Sequence, residues 1–118
     1  MTLEEKLINF KQYTIDAFPV INGNLIPEFK KIQKLSDLMI DYISKNEKKE
    51  IYSLTDICNI CNLSSKEGME FAYFLCNSVT NLFKPVYYFE SKLTDKKTFI
   101  NALKNNKDKV SFAFKIQK

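Results

Sequence analysis

The clearest periodicity in the chain runs from Pro27 to Lys45. Phe29, Ile32, Leu35, Leu38, Met39, Tyr42 and Ile43 recur at steps of three and four, with Lys30, Lys31, Lys34, Asp37, Asp41 and Lys45 opposite them. This is the pattern of an amphipathic helix with one face in a core. Pro27 suits its first position, where an N–H would be unsatisfied anyway. Upstream, Thr2 and Glu5 form a T-x-x-E capping box ahead of Leu3, Leu7, Ile8, Phe10, Ile15 and Phe18. That predicts a first helix of about four turns. Pro19 should end it, and Asn22-Gly23 between apolar residues predicts a tight turn or minimal hairpin.

Beyond a polar stretch at 46–49, Ile51-Tyr52 reads as a short extended piece. Ser53 with Asp56 is a variant capping box that opens a short helix, Leu54 to Asn62, with Leu54, Ile57, Cys58 and Cys61 inward. Leu63 closes a corner. Ser64 and Ser65 then cap a helix predicted from about Lys66 to Asn81, with Met69, Ala72, Leu75, Cys76 and Val79 on its core face. Leu82 to Glu90 reads as a strand in which Pro85 calls for an edge or a bulge. Its Tyr87-Tyr88-Phe89 run sends neighbouring rings to opposite faces, so both faces are covered or one ring is exposed. Thr94-Asp95 caps a short helix carrying Phe99, Ile100 and Leu103. Val110 to Ile116 alternates in period two, as a half-buried strand does. The expected fold is α+β and mostly helical. It is one domain over 1–118, with residues 1–27 as a helix-and-turn extension and a C-terminal β-hairpin interrupted by a short helix.

The 118 residues can bury a normal core without staples. No apolar run approaches the ~18–20 residues of a membrane span, and Glu4 and Glu5 stand where a signal peptide would be basic. A cytoplasmic protein with no membrane partner is expected. Composition removes much chemistry. The chain has no His, Arg or Trp and only two glycines, Gly23 and Gly68. Imidazole bases, bidentate phosphate clamps and glycine-rich phosphate loops are all excluded. The best remaining catalytic pair, Asp56 with Glu67 or Glu70, is better explained as charge at helix starts. No catalytic residue, metal or cofactor is expected. Cys58, Cys61 and Cys76 do not form a disulfide framework, and three thiols without imidazole fall short of a structural zinc site. The C-x-x-C spacing puts Cys58 and Cys61 on one helix face, as small core hydrophobes.

Charge is uneven. Residues 1–83 hold nine lysines and 11 acids, whereas residues 84–118 hold nine lysines and three acids. Such asymmetry points to a nucleic-acid or acidic-partner surface, or to an ordinary solvated one.

Residues 36–90 resemble a winged helix-turn-helix. The resemblance is carried by the stretch from Tyr52-Ser53-Leu54-Thr55-Asp56 through Leu63-Ser64-Ser65 to Met69-Glu70: capped helix, leucine, serine corner, second helix. It implies a wing made by the last two strands, separated here by about 18 residues with a helix-like stretch rather than a short loop. It also implies that the second helix faces a nucleic acid. Ser65, Lys66, Tyr73 and Asn77 on helix 66–81 would be the contacts, Asn77 suited to adenine and Lys66 to guanine or phosphate. Lys92, Lys96 and Lys97, with Lys84, Lys104, Lys107 and Lys109, would hold phosphates from the wing region, giving weakly specific DNA binding. The alternative is a protein-interaction adaptor or small accessory subunit, or a homodimer, using Glu70, Tyr73 and Phe74 on the same helix without DNA. Small winged-helix subunits of phage-defence or counter-defence complexes look like this.

Overall fold

The computed structural model describes residues 2–17, 20, 21, 23–25, 27–77 and 79–117. Helix α1 (Leu3–Asp16) begins where Thr2 accepts the N–H of Glu5, and it buries Leu7, Phe10 and Thr14. The expected roles of Phe18 in that helix, of Pro19 as its terminator, and of Asn22 and Ile26 in the turn lie outside the described residues. Strands β1 (Val20–Ile21) and β2 (Asn24–Leu25) pair antiparallel around Gly23, whose φ of 80° is the left-handed geometry of a tight hairpin. Helix α2 (Pro27–Lys45) buries Leu35, Ser36, Met39 and Ile43.

Strand β3 (Ile51–Tyr52) leads into helix α3 (Leu54–Cys61), and a corner at Asn62–Ser64 leads into helix α4 (Ser65–Cys76). Both helices open on complete capping boxes, Ser53 with Asp56 and Ser64 with Glu67. Asn62 supplies the left-handed residue that ends α3, at φ 53°. α3 and α4 approach closely at Gly68. A β-carbon placed there would stand 2.2 Å from the Cys58 Sγ.

A four-stranded antiparallel sheet follows in the order β3-β6-β4-β5, built from β4 (Phe83–Phe89), β5 (Lys92–Thr94) and β6 (Val110–Ile116). β4 pairs with β6 from Phe83↔Ile116 to Phe89↔Val110, as an interrupted hairpin should. Between them lie β5, helix α5 (Lys96–Asn105) and a 3₁₀ turn at Lys107–Lys109. β5 is an addition to the expected order. It returns on β4 through Glu90 and Ser91, both at positive φ, so the hairpin loop has two residues. Because the Glu90 N–H donates to Lys109 O on the β6 side, the odd-numbered residues of β4 direct their N–H groups the other way. β5 reaches only Tyr87, Tyr88 and Phe89. Pro85 therefore stands on the open outer edge, at a position whose N–H would have no strand partner.

The core joins both layers. Tyr52, Phe83, Met39, Ile43, Ile57 and Leu75 are fully buried. The rings of Tyr52 and Phe83 lie 5.4 Å apart and those of Phe83 and Phe114 6.5 Å apart. α5 covers the far end of the same sheet face, where Phe99 packs on Tyr87 at 4.8 Å and edge-on to Phe112 at 6.5 Å. Tyr87 is thus covered, and Tyr88 faces the other side beside exposed Leu93. No helix among the described residues is long and apolar enough to cross a membrane.

Candidate functional site

The outward surface of α4 divides in two, and each half faces a different neighbour. On one side, Met69, Tyr73 and Cys76 line a groove of about 710 Å³. Pro85 and Phe112 belong to its sheet lining, and Phe99 and Leu103 of α5 form the opposing wall. Tyr73, on the α4 wall, is 68% exposed. Lys66 lies one turn before Met69, on the same side of the helix. No carboxylate among the described residues lines the groove, and Lys107 is its one charged lining residue.

The other side of α4 carries Glu67, and Glu70, one turn before Tyr73, stands at the border of the two halves. Glu67 takes an ion pair from Lys31 of α2 at 3.0 Å while completing the Ser64 capping box. The Lys31 hydrogen bond, followed by the Ser64 N–H, holds its carboxyl below the usual range. Glu70 and Phe74 border a smaller hollow of about 250 Å³ with Lys31 and Leu35. Projection of the sequence sets Phe74 beside Tyr73 as an exposed pair, but the structure corrects this. Phe74 stacks on Phe71 at 6.0 Å and 15°, and Phe10 and Tyr13 of α1 lie against it at 6.3 and 6.4 Å. α1 covers it, so Phe74 does not share an open face with Tyr73.

Helix 66–81 also needs correction. α4 stops at Cys76, and Asn77 is its C-cap. The Asn77 Oδ1 accepts the N–H groups of Val79 and Thr80 at 2.9 and 2.8 Å. Its carboxamide is spent on the backbone and does not extend from a helix face as an adenine reader. Val79, expected on the core side, is 66% exposed because the helix no longer runs there. Ser65 opens α4 as an exposed first residue, with Lys66 beside it.

Lys92 lies on β5, and Lys96 and Lys97 lie in the first turn of α5; all three are exposed. The N-cap of α5 is Asp95, whose carboxylate accepts the Thr98 N–H at 2.6 Å. That bond is the main reason its pKa is lowered. Among the described residues, Lys84, Lys92, Lys96, Lys97, Lys104, Lys107 and Lys115 make no ion pair, whereas Lys109 meets Glu90 at 3.7 Å. Upstream, Lys11, Lys31, Lys45 and Lys49 pair with Asp37, Glu67, Asp41 and Asp56. Most of the lysines described between Lys84 and Lys115 therefore stand without an ion-pair partner among the described residues. The groove brings Tyr73 and Lys107 to one place; Lys92, Lys96 and Lys97 do not line it.

Four of the remaining candidates for chemistry, Cys58, Cys61, Asp56 and Glu67, have structural partners. The Cys58 thiol donates to Ser64 O at 3.5 Å and the Cys61 thiol to Leu35 O at 3.8 Å, so the two sulfurs serve different contacts. Burial pushes the Cys61 and Cys76 thiols up to about 11, away from reactive thiolate. No group of three or more metal-ligating residues converges among the described residues. Asp56 and Glu67 each complete a capping box.

Comparison with family models, curated proteins and solved structures returned no match. The α4–α5 groove is a feature that sequence reading misses. The Phe99-to-Leu103 spacing marks α5 as amphipathic, but no local signal says which sheet face it covers.

Proposed function

We propose that this chain is a non-enzymatic, winged-helix-like binding module that holds nucleic acid by its phosphates. The observation that carries the reading is the set of seven lysines between Lys84 and Lys115 with no ion-pair partner among the described residues. Uncompensated lysines release counterions when they meet phosphates, and that term needs no base reading. Of the acids of α4, Glu67 is turned to Lys31, while Glu70 stays exposed one turn before Tyr73, so the phosphate contacts fall to the lysines and not to the Glu70 side of that face. With Asn77 committed to the backbone, α4 offers little to discriminate bases, so binding is weakly specific. Lys66, Lys92, Lys96 and Lys97 are the phosphate contacts.

Fluorescence anisotropy with labelled duplex DNA at rising salt tests this. Four engaged lysines would give a log–log slope of about −4, and Lys96→Ala with Lys97→Ala should flatten it by about 2. Absence of binding at low salt would overturn the reading. A second reading, a protein-interaction adaptor, is supported by Tyr73 standing exposed over an apolar groove. Under that reading Tyr73→Ala abolishes partner capture with little salt effect.

A further inference from the structure

Two partly exposed surfaces of this chain match in spacing and in charge. The first is the outward side of α1. Its inward side buries Leu7, Phe10 and Thr14, yet Ile8 and Ile15 are 59% and 48% exposed. They are seven residues apart, so they form one stripe about 10 Å long. Glu4 and Glu5 flank this stripe at one end and Asp16 at the other, and none of the three is in an ion pair among the described residues. Lys11, the cation beside them, is neutralised by Asp37 of α2.

The second is the groove between α4 and α5. Met69 and Cys76 on its α4 wall are also seven residues apart, with Tyr73 between them. By sequence spacing, Lys66 precedes Met69 by one turn and Lys96 precedes Phe99 by one turn; Lys107 lines the groove itself. None of these lysines is ion-paired among the described residues.

We propose that this chain self-associates by seating the Ile8–Ile15 face of α1 from one copy in the α4–α5 groove of a second copy. Two aliphatic anchors enter a groove with adaptable walls of Met69 and Leu103. Lys107 in the groove, with Lys66 and Lys96 each one turn from a lining residue, meets the three carboxylates and outweighs Glu70, the acid beside Tyr73, which fixes register and orientation. Stacked bases fit the groove less well. The Tyr87 and Phe99 rings already pack on each other at 4.8 Å, leaving Tyr73 as the open platform. The contact joins two different surfaces, so it is heterologous. It goes beyond nucleic-acid binding and does not depend on it.

Sedimentation velocity of the full chain, run to about 200 μM at low and high salt, tests the proposal. The mass should rise with concentration and fall with salt. Ile8→Gln with Ile15→Gln changes only exposed positions and should weaken association about tenfold or more while leaving DNA affinity, measured at concentrations where the chain is monomeric, unchanged. Failure of this proposal is thereby separated from failure of the nucleic-acid reading. Glu4→Lys with Glu5→Lys, and Lys66→Glu with Lys96→Glu, should each weaken association, and mixing the two variants should restore it. A monomer throughout the concentration range would overturn the proposal. So would self-association that ignores Ile8 and Ile15, or a monomer whose groove captures an added acidic amphipathic peptide instead.

Discussion

Alanine at Gly68 should change its effect on stability from unfavourable to favourable when one sulfur atom is removed. In a helix, Gly→Ala is normally stabilising by about 1 kcal/mol, through lost backbone freedom in the unfolded chain. At Gly68 the new β-carbon would sit 2.2 Å from Cys58 Sγ, well inside contact distance. The sulfur has one torsion by which to escape, and it donates to Ser64 O in its present rotamer. Overpacking of this kind costs about 1–3 kcal/mol. Gly68→Ala alone should therefore be destabilising by roughly 1 kcal/mol after the propensity gain is subtracted. Without the sulfur, the nearest groups to the new methyl are Leu54 Cδ1 at 3.6 Å and the Cys58 Cβ at 3.7 Å, both ordinary contacts. In a Cys58→Ala background the same substitution should be stabilising by about 1 kcal/mol. The coupling across the cycle is then about 2 kcal/mol, large for one contact and well above the error of additivity. Urea unfolding of all four proteins, with unchanged m values, measures it. A stabilising Gly68→Ala in the native background, or additivity in the cycle, would refute the claim that Gly68 sets the α3–α4 approach.

Two further outcomes follow from buried and capping groups. Tyr52 is fully buried and its hydroxyl has no hydrogen-bond partner among the described residues. Tyr52→Phe should thus be neutral or stabilising by up to about 1 kcal/mol, read as an unchanged or raised thermal midpoint; a clear fall would mean that the hydroxyl is bonded. Three helix-start carboxylates titrate below their ordinary range. For Asp56, burial is the largest influence and pushes upward, but the Ser53 N–H and the Lys49 ammonium together outweigh it. Glu67 is held down first by Lys31 and Asp95 first by the Thr98 N–H. A depressed folded pKa means stability that is present above the unfolded value of about 4 and lost as pH falls through the lower folded value. The urea midpoint should fall with acidification below about pH 5, and Asp56→Asn should shrink that fall; an equal fall in the variant would remove Asp56 from the account.

Helix starts are the most legible part of this sequence, because the capping signal is local. Ser53 with Asp56 and Ser64 with Glu67 sit within one turn of each other, and the structure uses both pairs as written. Helix ends are harder to read. Val79 continues the helical period and no glycine or proline follows Cys76 at once, so the stop depends on the Asn77 carboxamide folding onto Val79 and Thr80. The exposure of Phe74 is not a local property either. It depends on Phe10 and Tyr13, more than sixty residues upstream, arriving to cover it. β5 is hidden for a third reason. Glu90 and Ser91 both adopt positive φ, where a hairpin turn usually announces itself with asparagine and glycine. The candidate site shares this limit. Lys66 and Tyr73 are readable on α4, but the wall opposite them belongs to α5 and is set by Phe99 choosing Tyr87 and Phe112.

Pro85 affects what this sheet can do in a crowded solution. An exposed strand edge is a template on which any extended peptide can add by backbone pairing, whatever its sequence. On the outer side of β4, β5 shields the last three residues, and Pro85 offers no N–H where that shield ends. Sequence-blind zippering is thereby blocked beside the groove that Pro85 also lines. A visitor there has to be recognised by the shape and charge of its side chains.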